Sequence, residues 1–287
     1  MRVYHTVKHG ASAVCGNLPG QKGRQGEGAA GKGRKMEFGA QSYTVREYCR
    51  NEKDFAETME KIAGIGYRFV QLSAIGPIDP ARVKSICDMN GLKIVLTHNP
   101  EGDFLKEPDR LIERHQLYGC AYAGLGYLPD RYHTPDGPAR FADDFGSAAE
   151  KLRDAGIRFM YHNHAFEFER MPDGRTMMEH LLSGIPADLM GVTADTYWLQ
   201  YGGMDVCGWL ERHMDRLHCV HLKDFAVSGF EIRMAPVGGG NLDFRRIIAM
   251  LRDGGVTEYA LVEQDDCYGA SPFDCLRESY TYLRKLG

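Results

Sequence analysis

From Met36 onward, short apolar runs alternate with longer stretches in which apolar residues recur at helical spacing. Eight runs read as strands, at 36–43, 69–74, 93–98, 121–127, 158–164, 189–195, 218–224 and 259–264. They recur about every 30 residues, the length of one strand-plus-helix unit. Between them, Asp54 is placed to cap a helix over 55–65, Asp79-Pro80 to open one over 81–89, and Asp243 to open one over 244–252. Gly66, Gly91, Gly156 and Gly255 follow predicted helix ends, where a left-handed backbone favours glycine. Eight alternating strands and helices predict an α/β fold, a (β/α)8 barrel in a single domain over 36–287. An open doubly wound sheet is the runner-up, disfavoured because no Gly-x-Gly-x-x-Gly turn follows the first strand.

The fifth strand passes from oil to titratable groups within a few residues. Ile157, Phe159 and Met160 give way to His162, His164 and Glu167. Strand alternation puts Met160, His162 and His164 on one face and Tyr161 and Asn163 on the other. Such a change at a C-terminal strand end is what an active site on a parallel barrel requires. The other strand ends follow suit. The first ends with Gln41 and the third with His98, both expected to touch a ligand at the rim. The sixth ends with Asp195, a carboxylate after a buried run that calls for a metal or a bonded partner, unless it simply caps the next helix. The seventh carries His221 and Lys223 on one face, and the eighth Leu261 and Glu263. His162, Asp195, His221 and Glu263 thus form an expected metal site at one height. Mixed nitrogen and oxygen donors suit one divalent ion, Mn²⁺, Co²⁺, Zn²⁺ or Mg²⁺.

Composition narrows the partners. A formal charge of -4 offers no broad positive field for nucleic acid or an anionic membrane, so a small, weakly charged ligand is expected. No apolar run approaches the roughly 18 residues of a membrane span and no signal peptide is visible, which predicts a cytoplasmic protein. The eight cysteines lack a Cys-x-x-Cys spacing and read as reduced, buried thiols. Residues 1–35 are basic, glycine-rich and without apolar period, and read as a disordered extension. Gly31–Lys35 can be encoded entirely by purines, as a ribosome-binding site would be, so our hypothesis is that translation starts at Met36. A native peptide spanning Lys35 and Met36 in mass spectrometry would refute it.

The motifs His162-Asn-His-x-x-Glu-Phe168, Asp195-Thr196, Val220-His-Leu-Lys-Asp224, Pro236-Val-Gly-x-Gly-Asn-Leu-Asp243 and Val262-Glu-Gln-Asp265 resemble the xylose isomerase-like barrel superfamily. The branch is that of sugar phosphate isomerases and epimerases, related to inosose dehydratases. The resemblance implies a divalent metal on Asp195, His221 and Glu263. The fourth ligand is either His162, which stands where the epimerases carry a glutamate, or Glu167 swinging back. A second departure is Gly239, at a position that is usually glutamate. The implied chemistry is isomerisation or epimerisation of a keto-sugar or sugar phosphate through an enediolate. Glu263 would act as base, and His164, Glu167 or Lys223 as proton donor. The alternative is dehydration of a keto-inositol or keto-sugar at the same site. Trp198 is expected to contact substrate. Tyr197, Gln200, Phe225 and Tyr268 form either a polyol-binding wall or a subunit contact, which leaves a homo-oligomer open. Two further classes are a DNA-repair endonuclease recruiting His98, His115, His133 and His180 to extra zinc ions, and a silent sugar-binding barrel.

Overall fold

The computed structural model describes residues 36–286, so the expectations for 1–35, the start codon and Cys15 lie outside the described residues. In chain order the strands are β1 (Glu37–Gln41), β2 (Phe69–Leu72), β3 (Lys93–Asn99), β4 (Tyr122–Leu125), β5 (Arg158–His162), β6 (Met190–Asp195), β7 (Cys219–Leu222), β8 (Asp224–Ser228), β9 (Glu231–Ala235) and β10 (Tyr259–Val262). All but β8 and β9 close into a barrel in the order β1-β10-β7-β6-β5-β4-β3-β2, parallel throughout. The helices are α1 (Glu52–Ile65), α2 (Pro80–Met89), α3 (Glu101–Leu105), α4 (Pro108–Tyr118), α5 (Gly137–Asp154), α6 (Met177–Gly184), α7 (Thr196–Tyr201), α8 (Val206–Arg212), α9 (Phe244–Gly254) and α10 (Pro272–Leu283).

The predicted (β/α)8 barrel is therefore the observed fold, and most of its punctuation is where the pattern placed it. Asp79 accepts from the backbone of Ala81 and Arg82, and Asp243 from that of Arg246. Gly66, Gly91, Gly156 and Gly255 have φ of 125°, 64°, 76° and 67°. The first helix is a correction. It starts at Glu52 with Asn51 as its cap, and Asn51 accepts from Asp54 N, so the aspartate sits inside the first turn.

Two further differences shape the rim. β1 stops at Gln41, whose side chain accepts from Tyr43 N and opens a 3-10 turn over Ser42–Tyr48. The predicted strand 218–224 breaks at Lys223, and the chain then leaves the barrel as the antiparallel hairpin β8–β9. The Asp224 carboxylate makes the break. It accepts from the backbone N–H groups of Phe225, Gly238, Gly240 and Leu242, pinning the loop that leads to α9.

Val95, Leu96, Tyr122, Met160, Cys219 and Leu261 form an apolar cluster distinct from the larger core, with Phe69 and Tyr259 packed on it. A register shift pairs Val70 with Ile94 but Gln71 with Leu96, leaving Val95 over as a bulge. After it Leu96 and His98 share a face, and Thr97 and Asn99 take the other. Around the barrel, Phe159 packs against Phe104, Phe141 and Phe145 at ring separations of 5.1 to 6.4 Å. The strand that carries the densest site chemistry is thus anchored by aromatic packing.

Candidate functional site

β5 ends on His162, β6 on Asp195, β7 carries His221, and Glu263 lies one residue past β10. One donor atom from each lies within 4.8 Å of every other, and all four side chains are buried. The common height expected from the sequence is not a common register. Asp195 pairs with His221 and His221 with Leu261, while His162 pairs with Thr193. Glu263 therefore starts two positions above His221 and His162 two below Asp195. Strand tilt in the closed barrel brings them back together.

Asp195 uses its two oxygens differently. Oδ1 accepts from Trp198 N at 3.0 Å and caps α7, while Oδ2 faces His162 Nε2 at 3.4 Å and Lys223 Nζ at 3.1 Å. The cap and the site contact are therefore not alternatives; one carboxylate makes both. Asn163 Oδ1 accepts from Asp195 N at 3.0 Å, tying the ends of β5 and β6. Lys223 Nζ also reaches Glu263 Oε2 and Asp265 Oδ1, each at 2.9 Å. Burial alone would lower the Lys223 ammonium pKa, but Asp195, Glu263 and Asp265 outweigh it and raise it. Burial likewise pushes Glu263 up, yet Lys223 and His221 hold it well below the usual carboxylate range. Asp265 is raised to about 6 by burial and by Glu263, against the pull of Lys223.

These residues fit a divalent cation. His221 Nδ1 and Glu263 Oε2 stand 2.8 Å apart, both buried and neither with a well-aligned hydrogen-bond partner. Two donors converging on a shared ion, each about 2.0–2.2 Å from it, stand roughly 3 Å apart without pointing at one another. Three carboxylates, Asp195, Glu263 and Asp265, against the Lys223 ammonium leave two negative charges that a dication would balance.

Above the cluster lies a cavity of about 500 Å³, lined among others by Tyr43, His98, Tyr127, His164, Lys223 and Glu263. His162 and Asp265 also line it. His98 borders the cluster, with its ring 5.2 Å from His162 and 5.6 Å from His221. Gly124 and Gly126 make room for it: a Cβ would lie 2.9 Å from His98 Cδ2 at the first and 2.7 Å from Nδ1 at the second. The His164 pKa is pushed down to about 3 by burial, then by His162 and Lys223, so the ring is neutral.

Three residues expected to move protons or touch substrate are not among those lining this cavity. Glu167 is fully buried and accepts from Tyr161 Oη at 2.7 Å and His164 N at 2.9 Å, bracing the exit from β5. Gln41 is buried and turned onto the backbone of Tyr43. Trp198 packs behind His164 at 5.4 Å, with Lys223 Nζ 5.5 Å from its ring. Of the four histidines of the endonuclease reading, His98 borders the cluster and the other three do not. His115 bonds Thr97 and Leu111, His133 bonds Leu128 O, and His180 pairs with Asp173. Among the described residues, one group of side chains is placed to hold a metal.

Sequence reasoning missed Asp265, Tyr127 and Gln71. Asp265 was within reach, since it follows Glu263 at the strand period of two. Tyr127 ends the predicted run 121–127, two residues past β4, and the small residues of that run drew attention to packing alone. Gln71 lies in an apolar run with nothing nearby in sequence to mark it.

The family model for the xylose isomerase-like TIM barrel matches residues 59–286. The chain belongs to that family. Among relatives of this xylose isomerase-like barrel is an inosose dehydratase from Lacticaseibacillus casei, 24% identical, with 81% of this chain and 89% of the relative covered. A sugar phosphate isomerase/epimerase from Parabacteroides distasonis superposes with a TM-score of 0.73 at 23% identity, covering 90% of this chain and 96% of that one. A xylose isomerase-like TIM barrel protein from Mycobacterium smegmatis, solved in complex with magnesium, gives 0.69 at 13% identity, with 88% and 96% covered. No helix among the described residues is long and apolar enough to cross a membrane.

Proposed function

We propose that this barrel is a divalent-metal-dependent enzyme that removes a proton from the carbon beside the carbonyl of a neutral polyhydroxy ketone and eliminates water from the product. The observation that carries the reading is the convergence of His162, Asp195, His221 and Glu263 within 4.8 Å beside a cavity lined by proton-moving groups. These four would hold the ion. When bound, it supplies electrophilic polarisation of the substrate carbonyl, which acidifies the neighbouring C–H.

The remaining work falls to the chain. Glu263 Oε2 faces Lys223 and His221, and Oε1 would accept the carbon-bound proton. Lys223 keeps Glu263 ionised and lines the cavity, where its ammonium stabilises negative charge developing on substrate oxygen. Proton transfer back from Glu263 to the departing hydroxyl would release water and leave the carboxylate as it began. Lys223 is the one lysine or arginine among the lining residues, and three carboxylates already surround it. With Lys223 so paired, the lining residues offer no free lysine or arginine to a phosphate dianion, which favours an uncharged polyol.

Isomerisation leads in the sequence reading, but two observations favour dehydration. His162 stands where the resemblance to sugar epimerases implies a second carboxylate for a symmetric proton exchange, and the matched curated relatives are inosose dehydratases. The second reading, isomerisation or epimerisation, is favoured by His164, whose Nδ1 lacks a partner and whose ring lines the cavity as another proton-exchanging group. Proton NMR in heavy water over a panel of keto-sugars and inososes, with Mn²⁺, Co²⁺, Zn²⁺ or Mg²⁺ added, separates them. Loss of water after exchange supports the dehydratase, exchange with return to a sugar supports the isomerase, and no exchange on any member refutes both.

A further inference from the structure

We infer that Gln71 is a positioning residue that fixes the tautomer of His221 and so presents its Nδ1 to the cation; the inference rests on the metal-centre reading above. Gln71 is the polar residue in the otherwise apolar strand β2 and is fully buried. Its Oε1 lies 2.7 Å from His221 Nε2, a contact between residues 150 positions apart. A carboxamide oxygen can only accept, so Nε2 carries the proton and Nδ1 keeps its lone pair. That lone pair lies on the side of the ring facing Glu263 Oε2 at 2.8 Å and Asp195 Oδ2 at 3.8 Å.

The opposite orientation of the amide is incompatible with the metal centre on which the inference rests. It would put the proton on Nδ1, the nitrogen 2.8 Å from Glu263 Oε2, and so remove His221 as a donor to a cation. The Nε2 of Gln71 is itself buried without a partner. A glutamine held there at the cost of an unpaired amide N–H is not explained by packing, because leucine would fill the space without that cost. Partners on the far nitrogen of a ligating histidine fix its orientation and basicity, and their loss typically weakens metal affinity about 10–100-fold.

The test uses the full-length protein with Gln71→Leu, which keeps volume and removes the acceptor, and Gln71→Glu, which keeps an acceptor. In metal-free, ¹⁵N-histidine-labelled wild type, long-range ¹H–¹⁵N spectra are expected to show His221 with Nε2 protonated and Nδ1 bare. Gln71→Glu should retain that pattern and Gln71→Leu should lose it. Calorimetric titration with Mn²⁺ and Zn²⁺ should show Gln71→Leu binding about 10–100-fold more weakly and Gln71→Glu close to wild type. A protonated Nδ1 in wild type, or unchanged affinity in a folded Gln71→Leu, overturns the assignment. Failure of the wild type to bind metal would instead refute the metal centre, and the tautomer would then decide Gln71 on its own.

Discussion

At the scale of single residues, Asp195 shows how one side chain serves fold and site together. Its Oδ1 caps α7 while Oδ2 belongs to the donor cluster, so Asp195→Ala removes both and Asp195→Asn keeps an oxygen for the cap. Both variants are expected to lose bound metal in elemental analysis. Only the alanine should also lose about 1 kcal/mol in urea denaturation, the usual worth of a capping oxygen. Glu263→Ala should lose metal with the fold intact, because rim residues of such barrels serve function more than stability. Equal metal content in wild type and all three variants would dismiss the cluster as a binding site. Glu167 belongs to a different account, since both its oxygens are committed to Tyr161 and His164. Tyr161→Phe breaks one buried bond to a carboxylate and should cost roughly 1.5–3 kcal/mol in the same experiment.

At the scale of elements, the loop after the β8–β9 hairpin is held by one carboxylate. A Cβ on Gly240 would stand 2.5 Å from Asp224 Oδ1 and 2.6 Å from Phe225 O. Gly240→Ala must displace that carboxylate from its backbone donors, and a loss of about 1–3 kcal/mol in urea-melt stability is expected. A wild-type midpoint would mean that the loop is not pinned through Asp224. The hairpin tip should be indifferent by comparison. Phe230 is fully exposed, and Phe230→Ser should leave stability within about 0.5 kcal/mol. Element boundaries were the least legible part of the sequence, for a local reason. Whether Asn51 or Asp54 caps α1, and whether the seventh strand continues past Lys223, depends on which backbone N–H each carboxylate or amide reaches. Both residue types satisfy the same pattern in one dimension.

At the scale of the whole molecule, acid stability should carry the mark of buried imidazoles. His115 bonds Leu111 O and Thr97 Oγ1 outside the barrel mouth, and burial pushes its pKa down to about 4. The unfolded chain binds a proton near pH 6.5 that the folded chain refuses until about pH 4. Stability therefore falls as pH drops through that window, by on the order of 2–3 kcal/mol from this residue. The slope of denaturation free energy against pH should flatten between those limits in His115→Gln, and an unchanged slope would assign the effect elsewhere. If the donor cluster binds its ion, free metal at about a hundred times its dissociation constant adds about 2.7 kcal/mol. Chelation should then lower Tm by about 5–10 °C in calorimetry.

Sequence alone settled the parallel barrel and singled out the strand ends proposed to carry chemistry. Period-two alternation and glycine-terminated helices are local consequences of backbone geometry, legible in His162, Asp195, His221 and Glu263 without coordinates. Only the folded chain decided that these four meet despite unequal registers, because strand tilt is a property of the closed sheet and of no single strand. The same holds for Gln71 against His221 and for Lys223 among three carboxylates. Such contacts join positions far apart in the chain, and no periodicity along it records which distant residue will stand opposite.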